Sequence, residues 1–336
     1  METMTPGRAL VLGATGYVGS RLVPQLLDAG WSTRVMSRHP QRLADRAWSA
    51  RAEVVGGDAS RAQDMAAACA DVDVVYYLLH SMDGTGDFAQ RDRELADVCA
   101  QVAADAGVRR IVYLGALHPS GPLSPHLASR VEVGEILLAG EVPTTVLQAA
   151  VVLGAGSASF ELLRHLSARL IVAPAPDWVL NRLQPIAIRD ALHYLVESAS
   201  MASGINRSFD IGGPDVLSYR DMVLQYADIA GLRRRHLLTL RAPKLLTGIA
   251  GEVVGRLTPV PRGVAAPLVG SLVHEVICHE HDIQGLIEPE LGGLLSFELA
   301  VLAALENEGR GEHGRLPEPG AQDPAYRTVA DPTWAG

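Results

Sequence analysis

The sequence predicts an α/β protein built on a doubly wound parallel sheet, with a smaller C-terminal lobe. Three observations carry this reading. Short β-branched runs alternate with helical patterns through the first half of the chain, the order that builds strand–helix–strand units. Val72–Leu79 is a nearly unbroken apolar run, as a central parallel strand covered on both faces requires. A glycine-rich turn joins the first strand to the first helix.

Arg8–Leu12 reads as strand one. Tyr17–Ala29 reads as a helix, with Val18, Leu22, Val23, Leu26 and Leu27 on one face and Gly30 as its stop. Pro24 falls inside it and removes a hydrogen bond, but periodicity and stop agree on a helix. Thr33–Met36 and Ala52–Val55 are strands two and three, and Asp58-Ala59-Ser60 is expected to cap a helix ending near Cys69. Val72–Leu79 is followed by a helix over Asp87–Ala106, ended by Gly107. Arg110–Leu114 and Thr145–Gln148 are further strands, flanking a helix at His126–Ala139 that Gly140 stops.

Beyond Gln148 the alternation becomes irregular. Ser208–Ile211 reads as a strand and Tyr219–Ala230 as a helix, with two more helical patterns at Pro243–Leu257 and Val264–Cys278. The expected division is a sheet domain over 1–150, a smaller mixed lobe over 151–306 interleaved with that core, and a tail over 307–336. The tail is rich in glycine, proline and charge, which predicts disorder.

Composition narrows the function classes. With 336 residues, 48% of them apolar, the chain can bury a large core. The formal net charge is -9, and the densest basic cluster, Arg233-Arg234-Arg235, is a short solvated turn, so no nucleic-acid partner is expected. Cys69, Cys99 and Cys278 are odd in number and widely spaced, which argues for a reducing compartment and against a disulfide framework. The N-terminus has no basic segment followed by an apolar one, so no signal peptide is expected. Lys244, Glu252, Arg256, Pro259, Pro261 and Arg262 interrupt the apolar stretch Ala242–Val276, so no transmembrane segment is expected and a cytoplasmic protein is the default.

The motif that carries chemistry is Gly13-Ala-Thr-Gly16-Tyr-Val-Gly19, placed between a clear strand and a clear helix. Gly13 permits a tight turn, Gly16 lets backbone approach a pyrophosphate, and Gly19 lets the helix sit close on the sheet. The helix N-terminus then offers free N–H groups and a positive dipole to phosphates. Thr15, Tyr17 and Val18, between these glycines, belong to the same expected site. This is the fingerprint of a Rossmann-type dinucleotide-binding domain.

The end of strand two selects the cofactor. Val35-Met36-Ser37-Arg38 has Ser37 where NAD-dependent proteins place the carboxylate that binds the ribose 2′-hydroxyl, and Arg38 can grip a 2′-phosphate. NADP(H) is therefore favoured over NAD(H). Asp58 and Ala59 at the end of strand three are placed to reach the adenine, and Leu79, His80 and Ser81 at the end of strand four to face the cofactor.

These residues resemble the extended or atypical short-chain dehydrogenase/reductases, and most closely the NmrA-like bacterial NAD(P)-binding proteins. The resemblance spans roughly Ala9 to Ile287. It also rests on Tyr76-Tyr77-Leu78-Leu79-His80-Ser81-Met82, on Val152-Leu153-Gly154-Ala155-Gly156-Ser157, on Gln184-Pro185-Ile186-Ala187 and on Gly212-Gly213-Pro214-Asp215-Val216-Leu217-Ser218-Tyr219. The resemblance implies a serine and a Tyr-x-x-x-Lys pair as the catalytic set. Here the matching helix reads His126-Leu-Ala-Ser-Arg130, and the preceding strand ends Tyr113-Leu114-Gly115-Ala116 without a serine.

His126 and Arg130 are four apart and share a helix face. Two readings of His126 stand side by side, a surface histidine on a remnant helix and a proton donor titrating near the ordinary histidine value of about 6.5, with His80 or water as the other proton sources. Arg130 is the expected grip on ribose or substrate, and His80 is the third catalytic candidate. His118 is a further loop candidate. His274, Cys278, His279 and His281 cluster in sequence, with His274 and Cys278 at helical spacing, but a packed helix end is favoured there over a metal site. The expected function is an NADP(H)-dependent oxidoreductase acting on a small carbonyl or quinone-like substrate. The alternative is a protein that binds NADP(H) without turnover, as a sensor or as an accessory subunit of a redox complex.

Overall fold

The computed structural model describes residues 6–336 except 45, 81–87, 120, 122, 170–171, 233–235, 241–254, 257, 307–322, 330, 333 and 335–336. The sheet that organises it is made of β1 (Arg8–Leu12), β2 (Ser32–Ser37), β3 (Glu53–Gly56), β4 (Val74–Tyr77), β5 (Arg110–Ala116), β6 (Thr144–Ala149) and β11 (Arg207–Ile211). Their order is β11-β6-β5-β4-β1-β2-β3, and every neighbouring pair is parallel. Chain order reverses between β1 and β4. Ligands of open parallel sheets bind in the crevice outside the strand ends at such a point.

Strand side chains alternate between two buried faces. Ala9 and Val11 of β1, Val74 and Tyr76 of β4, and Val112 and Leu114 of β5 point to one core. Leu10 and Leu12, Val75 and Tyr77, and Ile111 and Tyr113 point to the other. The period of two explains why these strands read as unbroken apolar runs. On the first face lie α1 (Tyr17–Asp28), through Leu22, Val23 and Leu26, and α7 (Ile188–Ser198), through Ala191, Leu192 and Leu195. On the second lie α3 (Ala62–Cys69), α4 (Phe88–Asp105) and α5 (Pro125–Ala139). Pro24 is accommodated inside α1, as its periodicity implied.

The segment beyond residue 150 interleaves with the sheet: β11 forms an outer strand and α7 covers the first face. The intervening segments were not read from sequence: β7 (Val151–Leu153), α6 (Ala158–Arg169), β8 (Val172–Pro176), β9 (Arg182–Leu183) and β10 (Pro185–Ala187). With β12 (Leu217–Ser218), α8 (Tyr219–Ile229) and the helix Phe297–Glu306 they enclose the lobe's own core around Phe160, Leu163, Met222, Tyr226 and Val301.

Asp58 does not cap α3. That helix begins at Ala62 with Arg61 at its N-cap, and the Asp58 carboxylate instead accepts from the Ser60 amide and hydroxyl at 3.0 and 2.9 Å. The helix expected over Val264–Cys278 covers only Arg262–Ser271. The pattern at Pro243–Leu257 falls almost wholly outside the described residues. The described end of the chain, from Asp323 to Val329 together with Asp331, departs from the expected disordered tail: it packs on α1 and on the loop after β7.

Candidate cofactor and active site

The turn after β1 has the features a dinucleotide needs. Gly13 adopts φ +90°, and a Cβ there would lie 2.6 Å from the Leu78 carbonyl oxygen at the end of β4. A Cβ on Gly19 would lie 2.3 Å from the Gly13 carbonyl oxygen, so only glycine lets α1 close on its own turn. Gly16 differs. Its Cβ would meet only the Gly13 carbonyl oxygen at 3.3 Å, so its free side faces open space. Gly16 is also the N-cap of α1, with no capping side chain and no acid in the first turn, which leaves the helix dipole to a ligand. The predicted residues do not all behave alike: Thr15 is exposed, whereas the Tyr17 hydroxyl is buried against Gly154, and burial pushes its pKa up.

At the edge of the crevice, β2 ends in Ser37, whose hydroxyl accepts from the His39 amide at 3.1 Å. Arg38 follows, exposed, with no hydrogen bond or ion pair among the described residues. Its charge contributes to holding Asp58 below the usual carboxylate range, after the larger effect of the two Ser60 hydrogen bonds. Ala59 and Leu79 pack partly buried against the second core face. Ser81 lies outside the described residues.

Beyond the end of β4 a polar cluster forms. The His80 and His126 rings lie 4.8 Å apart and tilted by 56°. His80 Nδ1 is 3.4 Å from Asp92 Oδ2 on α4, and Ser129 Oγ donates to the same oxygen at 3.2 Å. The carboxylate favours the imidazole form with its proton on Nδ1, leaving Nε2 as a lone pair. That Nε2 is buried and has no hydrogen-bond partner among the described residues. Arg130 donates to the Leu114 carbonyl, and its guanidinium lies 5.3 Å from the Tyr113 ring centroid. Tyr113 returns a hydrogen bond to the Arg130 carbonyl at 3.1 Å, which ties α5 to β5. α5 itself starts where the sequence lets it, at Pro125 behind the Ser124 cap.

A family of NAD(P)H-binding domains matches residues 13–142. A ceramide reductase from Caulobacter vibrioides is 28% identical over 285 residues, covering 82% of this chain and 86% of that protein. The chain therefore carries an NAD(P)H-binding domain over residues 13–142. A 3-beta-hydroxysteroid dehydrogenase from Mycolicibacterium neoaurum is 32% identical over 117 residues, 32% of this chain and 31% of that protein. Triphenylmethane reductase from Citrobacter sp., solved with NADP(H), shares the fold with a TM-score of 0.67 at 17% identity, covering 88% of this chain and all of that one.

The structure brings His126 and Arg130, both expected from the sequence, beside His80. Sequence reasoning missed Asp92 and Ser129. A signal existed for Asp92: it lies on the stripe of α4 that buries Ala96, Cys99 and Ala103, at helical spacings of four, seven and eleven. An acid on an apolar stripe has to be paired. His118 lies two residues past β5, half-buried, with no hydrogen bond or ion pair among the described residues. His274 and Cys278 share no helix, because the helix before them ends at Ser271. Among the described residues no three His, Cys, Asp or Glu side chains come together as a metal site. Among them, too, no helix is long and apolar enough to cross a membrane.

The expected titration of His126 is corrected. Burial, and then the neighbouring His80 and Arg130, push its pKa down to about 3 against the opposing pull of Asp92. His80 is also lowered, chiefly by burial. His126 is therefore a neutral imidazole at pH 7. A folded-state value below the unfolded one contributes stability above about pH 6.5, and that contribution is lost as pH falls toward 3. Between pH 7 and pH 5 the unfolded chain takes up the proton and the folded one does not, so this residue alone should remove about 2 kcal/mol. Urea denaturation at the two pH values checks this. His126→Gln should lose less stability over that interval than the parent protein, and an equal loss would show that His126 titrates normally in the fold.

Proposed function

We propose that the chain is an NADP(H)-dependent reductase that hydrogen-bonds a substrate carbonyl from His126. The observation that carries this reading is the His80–His126–Asp92–Ser129 cluster, held just past the end of β4, beside the turn where the pyrophosphate would rest. The glycine cradle and the uncapped N-terminus of α1 fit a dinucleotide. NADP(H), when bound, supplies the hydride. Neutral His126 gives an N–H hydrogen bond to the carbonyl oxygen as it gains negative charge. Asp92, itself held by Ser129, fixes the His80 ring, and His80 packs against His126. The hydride goes to the carbonyl carbon and water supplies the proton that completes the alcohol. Arg130 keeps α5 in register through Leu114 instead of gripping substrate through that edge.

The cofactor preference rests on Arg38, an exposed cation at the end of β2 where no carboxylate stands. Arg38→Ala should weaken NADPH at least about tenfold, since a charge-assisted hydrogen bond contributes roughly 1.5–3 kcal/mol. NADH affinity should change little. Calorimetric titration of both cofactors checks this, and equal losses would remove Arg38 from the 2′-phosphate site. The named substrates of the ceramide reductase and the steroid dehydrogenase are both lipids. They support a hydrophobic carbonyl compound or a quinone as substrate.

One observation favours a second reading, binding without turnover: the serine, tyrosine and lysine expected of the family are absent. NADPH oxidation assayed against long-chain ketones, 3-ketosteroids and quinones separates the two. Turnover of any of them supports the reductase, and tight NADPH binding with no turnover supports the sensor.

A further inference from the structure

Arg21 is the most heavily engaged side chain near the glycine turn, and it is 1% exposed. It lies one turn into α1. Its guanidinium sits 4.0 Å from the Tyr17 ring centroid, and Nη1 also reaches the Tyr17 carbonyl at 3.3 Å. Tyr17 is the first residue of α1 and the fifth of the glycine motif. From the other side Arg21 meets the end of the chain. Nη1 and Nη2 form a two-pronged ion pair with Asp331 at 2.7 and 2.8 Å, and the Asp331 side chain is fully buried. Nε donates to the Pro324 carbonyl at 2.8 Å and Nη2 to the Tyr326 carbonyl at 2.8 Å.

Arg21 also ties in the loop after β7. Nη2 donates to the Ala155 carbonyl at 3.1 Å, and the Ala155 amide donates to the Ala325 carbonyl at 2.8 Å. A Cβ on Gly156 would lie 2.4 Å from the Asp331 carboxyl carbon, so the two segments are in close packing contact. One buried cation therefore joins three segments far apart in sequence: the glycine turn, the Gly154–Ser157 loop and the chain end, the two ion-pair partners standing 310 positions apart.

Such a cation is stable only with its carboxylate, because an unpaired buried charge is strongly unfavourable. Whether the chain end is docked therefore bears directly on the first turn of α1. We infer that Arg21 and Asp331 are positioning residues for the dinucleotide site, and that the segment from Asp323 to Val329, with Asp331, is part of that site's support. Cofactor binding and docking of the chain end favour each other, and linkage makes the effect reciprocal. This inference rests on the assignment of the Gly13–Gly19 turn to the dinucleotide.

Full-length variants and NADPH as probe test it. Asp331→Asn keeps the shape and removes the charge. It should weaken NADPH about tenfold, within the usual range of coupling between linked sites. Arg21→Met combined with Asp331→Leu removes both charges, the change that most often restores a fold broken by removing one partner. If the pair only stabilises the fold, that double variant regains parent affinity along with its stability, which would overturn the inference. If the pair positions the turn, affinity stays about tenfold low in a stably folded protein, because the Tyr17 carbonyl and ring have lost their cation. Should Asp331→Asn fail to fold, the double variant decides. In the parent protein, saturating NADPH should slow hydrogen exchange in peptides spanning 323–329, and unchanged exchange there would also overturn the inference. Gly16→Val serves as the control: if it binds NADPH normally, the assignment of the turn has failed, not the coupling.

Discussion

A Gly16→Val variant folds and loses NADPH binding by roughly 10³-fold, as the removal of two charge-assisted hydrogen bonds implies. Within the protein a Cβ at Gly16 is tight against one atom alone, the Gly13 carbonyl oxygen at 3.3 Å, which has to give by only a few tenths of an ångström. The space it takes is outside the protein, over the uncapped N-terminus of α1, where a pyrophosphate must come close to backbone N–H groups. Gly19→Ala offers the contrast. Its Cβ would stand 2.3 Å from the Gly13 carbonyl oxygen and 2.9 Å from the Gly13 carbonyl carbon, so it should destabilise the fold itself. Calorimetry with NADPH and thermal unfolding of both variants separate the cases. A folded Gly16→Val protein with parent affinity would contradict the site.

His126→Ala lowers turnover by about 10²–10³ while leaving NADPH affinity nearly intact, the effect of losing one donor to a developing oxyanion. The proposed donor is a neutral imidazole, its pKa driven down to about 3 by burial, His80 and Arg130. Its contribution should therefore not titrate between pH 5 and 8. This differs from an imidazolium acid, which would make the rate fall through about pH 6.5. Asp92→Asn should lower the rate as well, because the amide no longer selects the His80 tautomer that faces it. Steady-state kinetics with the substrate found by the carbonyl and quinone assays checks both. A rate indifferent to His126→Ala would remove its role in the chemistry.

Much of the fold was legible because both faces of the sheet are covered. β1, β4 and β5 feed two cores in strict alternation, so each reads as an apolar run, and α1, α4 and α5 carry their own periodicity and stops. The segment from β7 to β10 was not legible: its strands are two to five residues long, too short to show a period. That β11 pairs with β6 across the lobe is a matter of topology, which no local pattern encodes. The glycine turn, His80, His126 and Arg130, on which the proposed site rests, could be placed relative to strands and helices from the sequence alone. Asp92 was hidden among the charges Arg91, Arg93 and Glu94 of α4, although its place on the buried stripe distinguished it. The docking of the chain end escaped because its composition is that of a disordered tail. What holds it is one carboxylate and a few backbone carbonyls around Arg21, which composition does not register.

The most direct test of the central claim is transfer from NADPH carrying deuterium at the reactive C4 position. The protein is loaded with it, mixed with a panel of hydrophobic ketones and quinones, and the products are examined by mass spectrometry. The proposed reductase should consume NADPH and deliver deuterium to the carbon that becomes the alcohol, for at least one ketone, and His126→Ala should suppress it. Tight NADPH binding with no consumption across the panel would contradict a reductase and leave a protein that binds the dinucleotide without turning it over.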